Sequence, residues 1–211
     1  MTSIVRKPWG REYLAFSNGC VAIWVLEIGR GEATSLHAHP GKNTAFIALR
    51  GEFEIELIRG MPLYLRALNK VNIFRGRFHR VRALTAGTVL LEVESPDDKR
   101  NIVRLEDQYG RAGAPIEEAT EPTNESCLWL GGKATERPFA GCMLKTISPW
   151  HSNELCGLSV EEICVTLFGG LEHGLLPPGD AVDGKTLARI AQRFPMAPGS
   201  AFLWIKKIKE K

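Results

Sequence analysis

Three of the five histidines in this 211-residue chain fall into one pattern. Gly31 is followed by five residues and then His37-Ala38-His39, with Thr44 and Gly51 further on, and Gly76 precedes His79 by three. In a strand, residues i and i+2 point to the same face. His37 and His39 therefore share a side, and His79, at the start of a later run, can supply a third nitrogen. Three neutral imidazoles with coordination positions left open suit a divalent Zn, Mn, Ni or Fe ion, and an open position is what substrate or water needs. The expected metal ligands are His37, His39 and His79. Lys42, Thr44 and Arg50 lie beside the first pair and are the expected substrate-binding residues, Lys42 and Arg50 being alternatives to the arginines around His79 as contacts for an anionic group. Arg75, Arg77, Arg80 and Arg82 crowd around His79, but strand alternation turns Arg80 and Arg82 away from it, which describes a solvated basic face. Glu92 and Glu94 share one face of a late strand and are candidates for moving a proton; no single base is assigned.

The elements that must hold these residues are short and β-like. Val21 to Ile28 and Thr44 to Leu49 are almost continuously apolar, each closed by glycine, and read as buried strands. Glu52 to Leu57 alternates strictly between acids and apolar residues, as a half-buried strand does. Val71 to Phe74, Arg80 to Leu84 and Thr88 to Val93 continue the series. Strands at this spacing, with no amphipathic helix between them, indicate an all-β barrel or sandwich. The expected organisation is a barrel over residues 6–112, a linker over 113–126, and a smaller β-rich unit over 127–211 with strands at Cys142 to Ile147, Ile163 to Phe168 and Ala201 to Ile205. Lys185 to Phe194 predicts a short helix whose apolar face carries Leu187, Ile190 and Phe194. The second unit reads as a lid, a dimer arm or a degenerate second barrel.

Composition narrows the function classes. Hydrophobic residues make up 44% and charged residues 24%, which is ordinary globular material. A net charge of +3 is too small to mark a nucleic-acid binder, and no basic stripe with interleaved aromatics is present. The cysteine count is five, an odd number, and no pair is spaced C-x-x-C. Free thiols in a reducing cytoplasm are expected, rather than a disulfide framework or a zinc ribbon. No apolar run near the start suggests a signal peptide, and no run of about 18 apolar residues suggests a membrane span.

Gly179 to Thr186 matches the phosphate-binding pattern G-x-x-x-x-G-K-[ST]. The match is expected to be accidental, because Pro177-Pro178 precede it where a buried strand is needed and Asp180 and Asp183 repel phosphate. His151 and His173 have no partner at metal spacing and read as structural. Asn124-Glu125-Ser126 matches a glycosylation acceptor without a secretory context.

The glycine and histidine pattern resembles the two cupin motifs. Thr44 stands where the first motif has a glutamate, usually the fourth ligand, and Phe74 stands where the second has proline. A narrower resemblance rests on Lys7-Pro8-Trp9-Gly10, on Thr34 to His39, and on Asn101-Ile102-Val103-Arg104-Leu105-Glu106-Asp107-Gln108-Tyr109-Gly110-Arg111. These are similar to the cupin domain of type II mannose-6-phosphate isomerases, over about half the chain. The resemblance implies a mainly β, jelly-roll barrel, a homodimer, and a metal-dependent enzyme acting on a phosphorylated sugar or nucleotide sugar, most simply an isomerase or epimerase. Two other readings share the barrel: a non-catalytic sugar-binding cupin, and a three-histidine non-haem iron oxygenase.

Overall fold

The computed structural model describes residues 3–111, 121–131 and 136–209. Its strands run in chain order β1 (Ser3–Lys7), β2 (Gly10–Ser17), β3 (Ala22–Ile28), β4 (Leu36–Ala38), β5 (Asn43–Arg50), β6 (Phe53–Leu57), β7 (Leu63–Leu65), β8 (Lys70–Ile73), β9 (His79–Ala83), β10 (Val89–Ser95), β11 (Val103–Glu106), β12 (Glu121–Pro122), β13 (Arg137–Phe139), β14 (Cys142–Ile147), β15 (Ile163–Phe168), β16 (Ala181–Asp183) and β17 (Ala201–Lys207), with one α-helix, α1 (Gly184–Ala191), before β17. They form three sheets. A central seven-stranded sheet has the order β12-β1-β2-β3-β10-β5-β8, a front sheet the order β11-β4-β9-β6-β7, and a rear sheet the order β13-β14-β17-β15-β16. The protein is mainly β, and the central and front sheets face each other as a jelly-roll barrel.

The central sheet is buried on both faces, which explains why its strands read as unbroken apolar runs. Ile23, Val25, Ala45, Ile47, Leu49, Val89, Leu91 and Val93 turn backwards and share one core with Leu144, Val165, Leu203 and Ile205 of the rear sheet. Leu26, Ile28, Phe46, Ala48 and Leu90 turn forwards and meet Phe53, Ile55, Val81 and Ala83 of the front sheet. This parity recurs along every inner strand, because consecutive side chains take opposite faces. The C-terminal residues thus supply a third layer on the back of the barrel.

The hairpin β1–β2 lies outside the elements expected from sequence. Its ladder runs from Ile4 opposite Tyr13 to Lys7 opposite Gly10. Charged residues such as Arg6, Arg11 and Glu12 interrupt its apolar pattern, so no clean period shows. The Lys7-Pro8-Trp9-Gly10 run is the turn itself. Gly10 has a φ of +146°, and a Cβ there would lie 2.0 Å from the Glu27 carbonyl oxygen, so only glycine fits.

The helix packs Leu187, Ala188 and Ala191 against Cys164 and Phe202 on the outer side of the rear sheet. Phe194, expected on its apolar face, lies beyond the helix end and is exposed. The Gly179–Thr186 run does not wrap a phosphate. Its middle is β16, paired to β15 with Asp183 opposite Ile163. The Asp183 carboxylate caps α1, accepting from the Thr186 amide at 2.8 Å and the Thr186 hydroxyl at 2.8 Å; this neutralises donors that an anion would need. All five cysteines are free; Cys142 and Cys164 are buried and Cys156 is exposed. No helix among the described residues is long and apolar enough to cross a membrane.

The shared core behind the barrel makes the rear sheet part of the same cooperative unit. Leu144→Ala is expected to cost about 2–5 kcal/mol. Urea unfolding followed by tryptophan fluorescence and by far-UV circular dichroism should give coincident transitions for both proteins. A variant in which the rear sheet melts separately, leaving the barrel transition in place, would refute this.

Candidate metal centre

The front sheet carries all three histidines of the pattern. His37 lies in β4 and pairs directly across with His79, the first residue of β9, while His39 follows β4. Their ring centroids are 4.9, 4.5 and 5.4 Å apart. Each ring is oriented by a backbone carbonyl that can only accept: His37 Nδ1 to Ser35 O at 2.8 Å, His39 Nδ1 to Asn101 O at 2.7 Å, and His79 Nδ1 to Arg77 O at 2.9 Å. The Nδ1 atoms therefore hold the protons, and the Nε2 lone pairs are left free. Nε2 of His39 and of His79 are buried without a hydrogen-bond partner. Burial holds His37 well below the ordinary imidazole range, with the neighbouring His79 and His39 adding to it. Burial likewise pushes His79 down to about 4.

A fourth donor comes from the opposite sheet. Glu92 in β10 lies on the forward face with Leu90, and ligand atoms of His37, His39, His79 and Glu92 all lie within 4.8 Å of one another. Glu92 Oε1 is 3.9 Å from His39 Nε2. Burial alone would raise the Glu92 carboxyl; the adjoining His39 imidazole and the Lys99 ammonium outweigh it and keep it ionised below the usual range. Four buried potential ligands, three imidazole nitrogens and a carboxylate, thus converge. This donor set fits a divalent cation such as Zn, Mn, Ni or Fe. The missing motif glutamate at Thr44 is offset by a glutamate one strand over, since β10 lies beside β5 with Glu92 opposite Phe46 and Glu94 opposite Thr44.

The other sequence-derived residues divide. Thr44 is buried with an unpartnered Oγ1. Lys42 is almost wholly buried, its Nζ 2.6 Å from Glu94 Oε1 and 2.9 Å from the Asp98 carbonyl; it is fixed beneath the site and not presented to a ligand. Arg50 ends β5 and donates to the Gly87 carbonyl at 2.7 Å. Six residues of strand, about 20 Å, separate it from Thr44, so it is not brought to the centre. Arg80 faces outward between Glu56 and Glu106, at 3.1 and 3.0 Å. His151 and His173 are exposed, away from the cluster.

The centre opens into a cavity lined by Lys7, Trp9, Glu12, Leu26, Thr34, Ser35, Phe46, Val81, Glu94, Lys99, Ile102, Arg104 and Arg111 beside His37, His39 and Glu92. Lys99 sits 2.6 Å from Glu12 Oε1 and 3.6 Å above the Trp24 ring. Arg111 pairs with Asp107 at 2.7 Å. Glu94 Oε2 is buried and without a partner; burial and the Glu92 charge push its carboxyl up. The metal spacing alone does not reveal these cavity residues. The signal for Lys7, Trp9, Arg104 and Arg111 lay instead in the two runs flanking the barrel, Lys7 to Gly10 and Asn101 to Arg111.

The Lys42–Glu94 pair is a buried one, so its halves are costly apart. Lys42→Met is expected to destabilise the protein by roughly 3–5 kcal/mol, while Lys42→Met combined with Glu94→Leu recovers most of that loss. Urea denaturation of the two variants checks this; equal losses in both would show that the pair is not the source.

No protein-family model matches the chain, and no curated protein matches it. Among solved structures, it is similar to KdgF from Halomonas sp., at 18% identity and a TM-score of 0.42 over 44% of this chain and 84% of that one. It is similar to the capsular polysaccharide assembling protein CapF from Staphylococcus aureus, at 16% identity and a TM-score of 0.46 over 51% of this chain and 35% of that one. A Klebsiella pneumoniae protein described as having a double-stranded beta-helix domain matches at 16% identity and a TM-score of 0.41, over 50% of this chain and 86% of that one. Each likeness spans about half of this chain.

Proposed function

We propose that this protein is a metal-dependent cupin enzyme acting on a phosphorylated sugar or nucleotide sugar, in its simplest form an isomerase or epimerase. The observation that carries the reading is the cavity itself: His37, His39 and Glu92, three of the four convergent donors, line it together with Lys7, Lys99, Arg104 and Arg111. A divalent cation held by His37, His39, His79 and Glu92 would supply Lewis-acid polarisation of carbonyl and hydroxyl oxygens. Arg104 and Arg111 carry the forked group that receives phosphate, with Lys7 and Lys99 on the same wall; Arg111 is paired with Asp107, and Lys7 and Lys99 with Glu12, so a phosphate would share these cations with the resident carboxylates. These four take the role first expected of Lys42 and Arg50. Trp9, Leu26, Phe46 and Ile102 form the apolar wall that seats a sugar ring and keeps water out. Glu94 Oε2 is the acceptor this chain offers to a substrate hydroxyl or to a proton leaving carbon.

Metal analysis by mass spectrometry on tag-free protein is the first test. Wild type should carry near-stoichiometric metal, and His37→Ala and His79→Ala should lose it. Glu92→Gln should weaken binding by more than the roughly 10- to 100-fold that loss of an outer-shell partner costs. On a panel of sugar phosphates, Arg104→Ala should raise KM while leaving metal content unchanged. Absence of metal after reconstitution would sink the metalloenzyme reading. Saturable sugar-phosphate binding without turnover would favour a binding protein, and iron-dependent oxygen consumption would favour an oxygenase.

A further inference from the structure

The barrel has a second opening, whose lining residues are distinct from those of the cavity. β7 is the last strand of the front sheet and β8 the last of the central sheet, so the two sheets end there without pairing to each other. A concavity of about 350 Å³ lies between them, within the range of roughly 300–1,000 Å³ typical of small-molecule pockets. Its walls are Leu57, Ile58, Leu63, Val71, Ile73, Phe74 and Phe78, with Asn72 and Gly76. Ile58 and Phe74 expose more than half of their surface. Isolated exposed apolar residues are ordinary; a concave cluster of them marks a binding surface.

The charge around this groove is of one sign. Arg59 and Arg77 line it, both are exposed, and no carboxylate is among its lining residues. Neither arginine makes an ion pair among the described residues. A second copy docked through a two-fold axis would set the same arginines against each other. An apolar wall with guanidinium groups at its edge is instead complementary to one apolar tail bearing an anionic head. We infer that the groove between β7 and β8 is a binding site for a small amphipathic carboxylate, a free acyl-chain acid, separate from the metal centre.

Calorimetric titration of the metal-loaded protein with decanoate, decanol and decylammonium tests this. Decanoate is expected to bind 1:1, about tenfold or more tighter than decanol, since the difference is a charge-assisted contact. Arg59→Ala combined with Arg77→Ala should erase that preference, and Phe74→Asp should abolish binding; retained metal content shows that the variants are folded. The same titration on His37→Ala should give unchanged decanoate binding. Loss of binding in His37→Ala would place the carboxylate on the metal and overturn the inference. So would equal affinity for all three probes, indifference to the groove variants, or a dimer in sedimentation that Phe74→Asp dissolves and decanoate does not.

Discussion

Everything in this molecule follows from a central sheet that is dry on both sides. Seven strands lie between two other sheets, so each of its inner strands must satisfy two cores at once, with alternate residues assigned to each. The period of two leaves no freedom: a slip by one residue would exchange the two faces wholesale. In β10, Val89, Leu91 and Val93 are owed to the rear sheet. Leu90, Glu92 and Glu94 must then enter the barrel. Two carboxylates are thereby forced into an apolar interior, where they persist only with cations or a metal beside them.

The interior answers that demand with matched charges. Lys42 holds Glu94, and Lys99 holds Glu12 while resting on the Trp24 ring. Glu92 faces the three imidazoles. The carbonyls of Ser35, Arg77 and Asn101 fix which nitrogen of each ring faces inward. The segment after β10 is central to this, since Asp98 and Asn101 offer carbonyls to Lys42 and His39 while Lys99, Arg104 and Arg111 line the cavity.

The strands with unbroken apolar runs or strict alternation were legible from residues alone, and so were the three histidines, because spacing by two on a strand is a geometric statement. The fourth donor was not. Glu92 and Glu94 were visible as sharing a face, but in a strand with both faces buried the apolar residues lie on either side, so alternation does not say which face is the barrel's. The β1–β2 hairpin stayed hidden because its inward residues include Lys7 and Glu12, whose place inside depends on partners distant in sequence. Lys42 and Arg50 illustrate the converse: closeness in sequence to His39 says nothing about reach, since one is locked to Glu94 and the other rides a straight strand away from the centre. The third layer was unreadable as such, because its strands look alike whether they form a separate unit or cover the back of another sheet.

The four donors come from two different sheets, three from the front and Glu92 from the centre. A cation seated among them is a rivet through the barrel, joining at its middle two layers otherwise held by turns and apolar contact. A ligand that binds only the folded arrangement adds its binding free energy to that arrangement. A centre occupied in this way would resist shear between the sheets, whereas without a cation the carboxylate and imidazoles face each other across the seam. The same atoms that would hold the ion for chemistry would then make it the mechanical clasp of the barrel.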